Sequence, residues 1–409
     1  MDDEAAQPGA GISRGLVLLL ALATGAAAAN LYYAQPLLDT LAHDFGVSKG
    51  TGGLLVTVSQ IGYGLGLAFV VPLGDLHERR RLITGTLLIT TTALVVVAVS
   101  PSFVVFAAAI AIVGLSSVVA QVIVPMVSTL AADNERGRIV GTVMSGLLIG
   151  ILLARTVSGL IAGLVGWRAV FWLAAVLMLV LCATLRRALP RIAPTTTTPY
   201  LGLLRSVLSL VASEPVLRQR MVLGALAFGC FSTLWTPLSY LLAGPPYHYG
   251  NATIGLFGLV GVAGAGAATL AGRLADRGRV KHTTTATVLI VLVSWAILAA
   301  GRHSLAALII GIAVLDLGVQ GLHISNQNAI YALVPEARSR LTTAYMVAYF
   351  LGGALFSALA SAIYANDGWA GDCVLGALIA GAALIVWAAS ESATVRAARR
   401  RAAAASADS

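Results

Sequence analysis

The chain has 409 residues, of which 58% are hydrophobic and only 11% charged, and its mean hydropathy is +0.90. Soluble domains carry about 25% charged residues, so this chain has too little charge to coat a water-facing surface of its size. The net charge of +9 is therefore read against a membrane first, and no nucleic acid partner is expected.

In chain order, residues 1–14 form a tail in which Arg14 is the sole basic residue. The apolar run from Gly15 to Asn30 follows an acidic leader (Asp2, Asp3, Glu4). It is read as a first span rather than a cleaved signal, because more apolar runs succeed it. Twelve spans are predicted, at 15–38, 51–73, 82–100, 103–131, 138–164, 168–187, 219–243, 252–274, 283–301, 304–334, 340–365 and 370–390. A helix needs about 20 apolar residues to cross a bilayer, and the apolar content suffices for twelve. Between spans 6 and 7 lies a linker, 188–218, with Pro190, Pro194, Thr195 to Thr198 and Pro199. Such a stretch buries little apolar surface. The chain thus divides into an N-terminal six-helix bundle (15–187), the linker, a C-terminal bundle (219–390) and a tail (391–409). The fold class is an all-α membrane protein with pseudo-two-fold symmetry.

On this layout 22 of the 26 basic residues share one side, with Lys49, Arg168 and Arg302 opposite and Arg155 inside a span. Basic loops stay cytoplasmic, so both termini and the linker are expected inside the cytoplasmic (inner) membrane. Trp167, Tyr247, Tyr249, Tyr364 and Trp369 fall near the outer ends, where interfacial aromatics belong. Cys182, Cys230 and Cys373 have neither a disulfide pattern nor a zinc spacing. No metal or cofactor is expected.

The halves repeat. Asp75 and Asp276 are 201 residues apart; Arg136 and Arg138 precede Arg338 and Arg340 by 202, as Met144 precedes Met346 and Gly150 precedes Gly352. The loop after span 2 reads Gly74-Asp75-Leu76-His77-Glu78-Arg79-Arg80-Arg81, and the loop after span 8 reads Gly272-Arg273-Leu274-Ala275-Asp276-Arg277-Gly278-Arg279. With two parallel halves and these loops, the chain resembles the major facilitator superfamily over nearly its whole length. Leu76 and Glu78 depart from the family's Arg and Gly. The segment Asn30 to Leu38 is similar to a branch of bacterial facilitators of mostly unknown substrate.

The resemblance implies a cytoplasmic gate at Gly74, Asp75, Arg79 and Arg80, with Asp276, Arg277, Arg136 and Arg138. For Arg80 and Arg81 the alternative is a plain positive-inside anchor with no gating role. It implies that spans 1, 4, 7 and 10 line a cavity. Gly146, Gly150, Ser158 and Gly159 in span 5 resemble the signature of drug–proton antiporters. Ala154-Arg155 replaces the usual Gly-Pro there, and span 4 lacks that group's arginine.

Span 10 carries the strongest chemical signal. Asp316, Gln320, His323 and Gln327 recur at intervals of 4, 3 and 4, which puts them on one helix face, with Asn326 beside it. A polar stripe cannot face lipid, so it faces a cavity or another polar helix, with Asn and Gln joining helices as the alternative; an ionisable residue inside a span marks a pathway or a pair. Asn30 and Tyr33 in span 1, Gln121 in span 4, and Trp235, Thr236 and Ser239 in span 7 extend the proposed cavity lining. Gln35 falls off the span 1 face. Arg155 and Asp316 lie at depths of roughly 18 and 21 Å from the outer ends of their spans. They are expected to pair between the halves; the alternative is separate polar partners within each half.

No Gly-x-x-x-x-Gly-Lys-Ser/Thr loop occurs, so ATP-driven pumping is not expected. The expected function is secondary active transport of a small organic solute, proton-coupled, by a monomer. Efflux is favoured over uptake or facilitated diffusion. A receptor or scaffold on the same fold is the rival outside transport. No catalytic constellation is present, and enzyme activity is not expected.

Overall fold

The computed structural model describes residues 12–132, 134–191, 198–261, 280–334 and 337–407, with side chains to Glu391. Among these residues nine helical segments are long and apolar enough to cross a bilayer. Spans 2 to 6 run Lys49–Leu76, Arg79–Val99, Phe103–Leu130, Arg136–Val165 and Trp167–Ala188. Span 7 is Pro215–Ala243, span 9 Val280–Ala300 and span 10 Leu305–Tyr331. Arg338–Glu391 contains spans 11 and 12. Span 1 starts as Arg14–Ala29 and resumes as Leu38–Asp44. Span 8 is described over Asn251–Gly261. Together they form the two six-helix bundles.

Local chemistry sets the starts and stops. Ser13, Ser48, Ser102 and Ser304 each accept a hydrogen bond from the backbone N–H three residues on, as good N-caps do. Gly166 separates spans 5 and 6 at φ 92°, and Gly368 separates spans 11 and 12 at φ 62°. Only glycine takes such angles freely. These two glycines are 202 residues apart, and a tryptophan follows each, so the repeat extends to the tight turns.

Both halves interrupt their first helix partway along, nearer its outer end. Span 1 unwinds over Asn30 to Ala34 ahead of Pro36, and span 7 breaks at Thr236-Pro237. Proline removes a helical donor and clashes with the preceding turn. Broken helices survive at membrane depth only where protein or a cavity satisfies them. The repeated break therefore marks where polar groups gather.

The span 5 glycines have packing partners. A side-chain carbon on Gly146 or Gly150 would collide with the backbone of Ala21 or Gly25 in span 1. In the second half, Gly352 meets the Ala225 backbone in the same way. Small residues let membrane helices approach closely. Gly150→Leu is expected to lower the melting temperature and folded yield, since overpacking costs about 1–3 kcal/mol. Gly141→Leu is the control, because a carbon there meets nothing within 4 Å. Size-exclusion profiles and thermal melts of the two variants check this.

The described part of the linker after Pro199 is helical, which the linker's proline and threonine content does not predict. Tyr200–Ser213 is a helix, and Tyr200 Oη donates to the Phe69 carbonyl at 2.8 Å. Leu203, Val207, Leu210 and Val211 are half-buried on one side, while Leu201 and Leu208 are exposed. The apolar spacing within 200–213 was the available signal.

Candidate functional site

On the side away from the basic loops, the halves are zipped together. Thr57 of span 2 donates to Ser357 of span 11 at 3.3 Å, and Ser357 lies 3.0 Å from Thr236 of span 7. Gln60 donates to Ser232 at 3.1 Å. Thr156 of span 5 donates to the Gly255 carbonyl of span 8 at 3.0 Å, and Thr40 donates to Asn251 at 2.8 Å. Gly159 and Gly255 face each other with no room for a side-chain carbon on either.

Level with the inner end of this zipper lies a charged junction built from both halves. The Arg155 side chain is 3% exposed. Its Nε donates to Gln35 Oε1 at 2.7 Å, and its Nη2 is buried without a hydrogen-bond partner. The guanidinium carbon stands 4.0 Å from the Trp235 ring, 4.7 Å from Tyr32 and 5.4 Å from Phe231. Trp235 Nε1 in turn donates to Asp316 Oδ1 at 3.2 Å, and Asp316 is 5% exposed. Arg155 and Asp316 thus share one cluster but form no direct ion pair. Trp235 stands between them, offering its face to the cation and its N–H to the acid.

Below Asp316 the span 10 stripe divides. Nδ1 of His323 lies 3.1 Å from Tyr345 Oη, and its ring packs 4.8 Å from that of Tyr349. Asn326 turns into the second half, where Oδ1 accepts from Arg220 at 3.1 Å. Arg220 also donates to Thr284 at 3.0 Å and stacks 4.9 Å from Trp387. Gln320 and Gln327 are half-buried. An aromatic column (Phe231, Phe228, Tyr349, Phe350, Tyr63) leads from the junction toward the basic side.

There a small pocket opens between the halves, lined by Asp75, Arg79, Gln121, Val207, Arg340 and Thr343 among others. Arg79 is 6% exposed, donates to the Gly74 carbonyl at 3.3 Å and lies 3.7 Å from Asp75. Arg80 pairs with Glu78 at 3.5 Å and donates to the Leu189 carbonyl at 3.4 Å. Arg138 pairs with Glu135. Arg136 donates to the Ser128 carbonyl and Arg338 to the Tyr331 carbonyl, so in each half an arginine entering span 5 or 11 caps the end of the helix before it. Asp276 and Arg277 lie outside the described residues.

Asn30 points into the first bundle, within 3.4 Å of Ser117 and 3.5 Å of Met178. Tyr33 is buried, and its carbonyl accepts from Ser158 at 2.6 Å. Ser239 is buried with its hydroxyl unpartnered. Sequence reasoning passed over Tyr32, Gln35 and Arg220. It also missed Asp372, which is 0% exposed with neither carboxyl oxygen hydrogen-bonded. Arg220 and Asp372 had a weak signal: each falls just inside a predicted span end, where charge is expected and so easily discounted.

Comparison with known proteins agrees with this geometry. The family model described as Major Facilitator Superfamily matches residues 20–294 and 244–407. A protein named as an uncharacterized transporter, YgaY of Escherichia coli O157:H7, is 50% identical over 381 residues, covering 93% of this chain and 97% of its own. SCO4007 of Streptomyces coelicolor is 36% identical over 93% of this chain and 87% of its own. A solved structure of the peptide transporter POT with sulfate superposes with a TM-score of 0.76 at 14% identity, over 96% of this chain and 97% of that one; that likeness bears on fold alone. Two bundles with a matching family model and a half-identical relative lead to one conclusion: the chain belongs to the major facilitator superfamily, as a multi-pass membrane transporter.

Proposed function

We propose that this transporter moves a small organic solute by alternating access, driven by protons that bind Asp316. The supporting observation is the placement of Asp316 at the junction of both halves, linked through Trp235 to Arg155. A group there changes its neighbours whenever the halves rock, so its charge state and the conformation bias each other. His323 assists as a second proton-accepting group farther along span 10. The basic side is taken as cytoplasmic, which places the protein in the inner membrane with both termini inside. The zipper then closes the outer side, and the loop carrying Asp75 and Arg79 gates the inner one, together with Arg80, Arg136, Arg138, Asp276 and Arg277. The working unit is a monomer.

Export, the direction favoured by the span 5 resemblance, has no separate support from those residues. Gly146 and Gly150 pack on span 1, Gly159 packs on span 8, and Ser158 holds the broken span 1 backbone. Direction follows instead from the charge of the solute.

The test is reconstitution of purified protein into proteoliposomes, with a solute chosen by thermal-stabilisation screening. Solute accumulation that follows an imposed pH gradient and collapses with a protonophore is expected. Binding without flux would instead favour a receptor on the same fold.

A further inference from the structure

The Arg155 guanidinium has one donor more than its neighbours use. Arg155 forms no ion pair with a described residue, and its Nη2 is a buried donor with nothing to donate to. A guanidinium with a free, desolvated N–H is a receptor for carboxylate-like anions. Its faces are covered by Trp235, Tyr32 and Phe231, so an anion reaching that nitrogen brings its own body against aromatic surface.

Asp316 decides whether Arg155 is available. The titratable groups facing Asp316 are Arg155 from span 5, Tyr32 from span 1 and Tyr349 from span 11, with His323 farther along its own helix. Arg155 is the one fixed cation among them. When Asp316 is ionised, its negative charge opposes an incoming anion beside Arg155. When it takes a proton, forming the neutral acid, that opposition disappears. A proton and an anion therefore favour each other's binding at this junction, which is the condition for symport. A cationic solute would be repelled by Arg155 and would compete with the proton for Asp316, the condition for antiport.

We infer that the solute is an organic anion with an apolar or aromatic body, bound by Arg155 and carried in the same direction as the proton on Asp316. This rests on the proposed coupling at Asp316. One proton moving with one monovalent anion transfers no net charge.

Three probes of one shape and different charge test it: phenylacetate, phenylacetamide and phenethylamine, added to the purified full-length protein in acidic and in mildly alkaline buffer. Thermal stabilisation by phenylacetate alone, larger in acid, is expected. Arg155→Gln is expected to weaken it about tenfold or more, the usual effect of losing a charge-assisted hydrogen bond, while Arg155→Lys keeps part of it. In Asp316→Asn the anion effect is expected to persist and lose its pH dependence. Equal shifts for the three probes (none included), a larger shift for the amine, or an anion shift unchanged in Arg155→Gln would overturn the anion site. If Arg155→Gln does not fold, the wild-type ranking and Arg155→Lys decide. An anion preference in wild type that ignores pH would refute coupling at Asp316 and leave the anion site standing.

Discussion

Asp316→Asn protein is expected to bind and exchange its solute yet fail to concentrate it against a pH gradient. Asparagine keeps the shape and an oxygen that can accept from Trp235 Nε1, which the Asp316 carboxyl does at 3.2 Å. What it loses is the ability to take up and release a proton. One coupled proton contributes about 1.4 kcal/mol per pH unit, or roughly tenfold accumulation in an electroneutral cycle. In the variant that ratio is expected to fall to about one at any gradient, while exchange across the membrane continues. Radiotracer accumulation and counterflow in the same proteoliposomes separate the two effects. Unchanged accumulation would remove Asp316 from the coupling step.

A second large effect is expected from fixing the zipper. Thr57 and Ser357 hydroxyls lie 3.3 Å apart across the halves, which makes this pair the natural place to introduce two cysteines and cross-link the zipper. The free cysteines at 182, 230 and 373 are first replaced by serine or alanine. Oxidised Thr57→Cys/Ser357→Cys protein is expected to lose solute flux to background and to regain it with reductant, because alternating access requires this face to part. A cross-linked protein that transports at full rate would mean the zipper does not open during the cycle.

The sequence displayed the architecture because long apolar runs and one-sided charge are forced by the bilayer. The polar face of span 10 was visible for the same reason: period alone puts Asp316 and His323 on one side of a straight helix. Where helices are not straight, period misleads. Gln35 fell off the span 1 face only because the helix was drawn intact; the unwinding over Asn30 to Ala34 turns Gln35 onto Arg155 and Asn30 toward Ser117 and Met178. That Arg155 and Asp316 lie at similar depth was legible, but the expected direct pair does not form, and the tryptophan between them was not legible, since an indole interposed by geometry leaves no spacing to read. Arg220, just inside the predicted start of span 7, was counted with the basic side and is 6% exposed inside the second bundle.

The glycines show the same limit from another side. Gly150 and Gly352 were legible as a repeat, but their reason, a helix crossing too tight for a side chain, requires knowing which helix lies opposite. The turns at Gly166 and Gly368 share a positive φ that sequence alone does not reveal.

The most direct test of the central claim is the simultaneous measurement of proton and solute movement in proteoliposomes containing the wild-type protein. A solute gradient alone is expected to drive protons across the membrane, and Asp316→Asn protein is expected to move solute without them. Solute flux in the wild type with no accompanying proton movement would contradict the account.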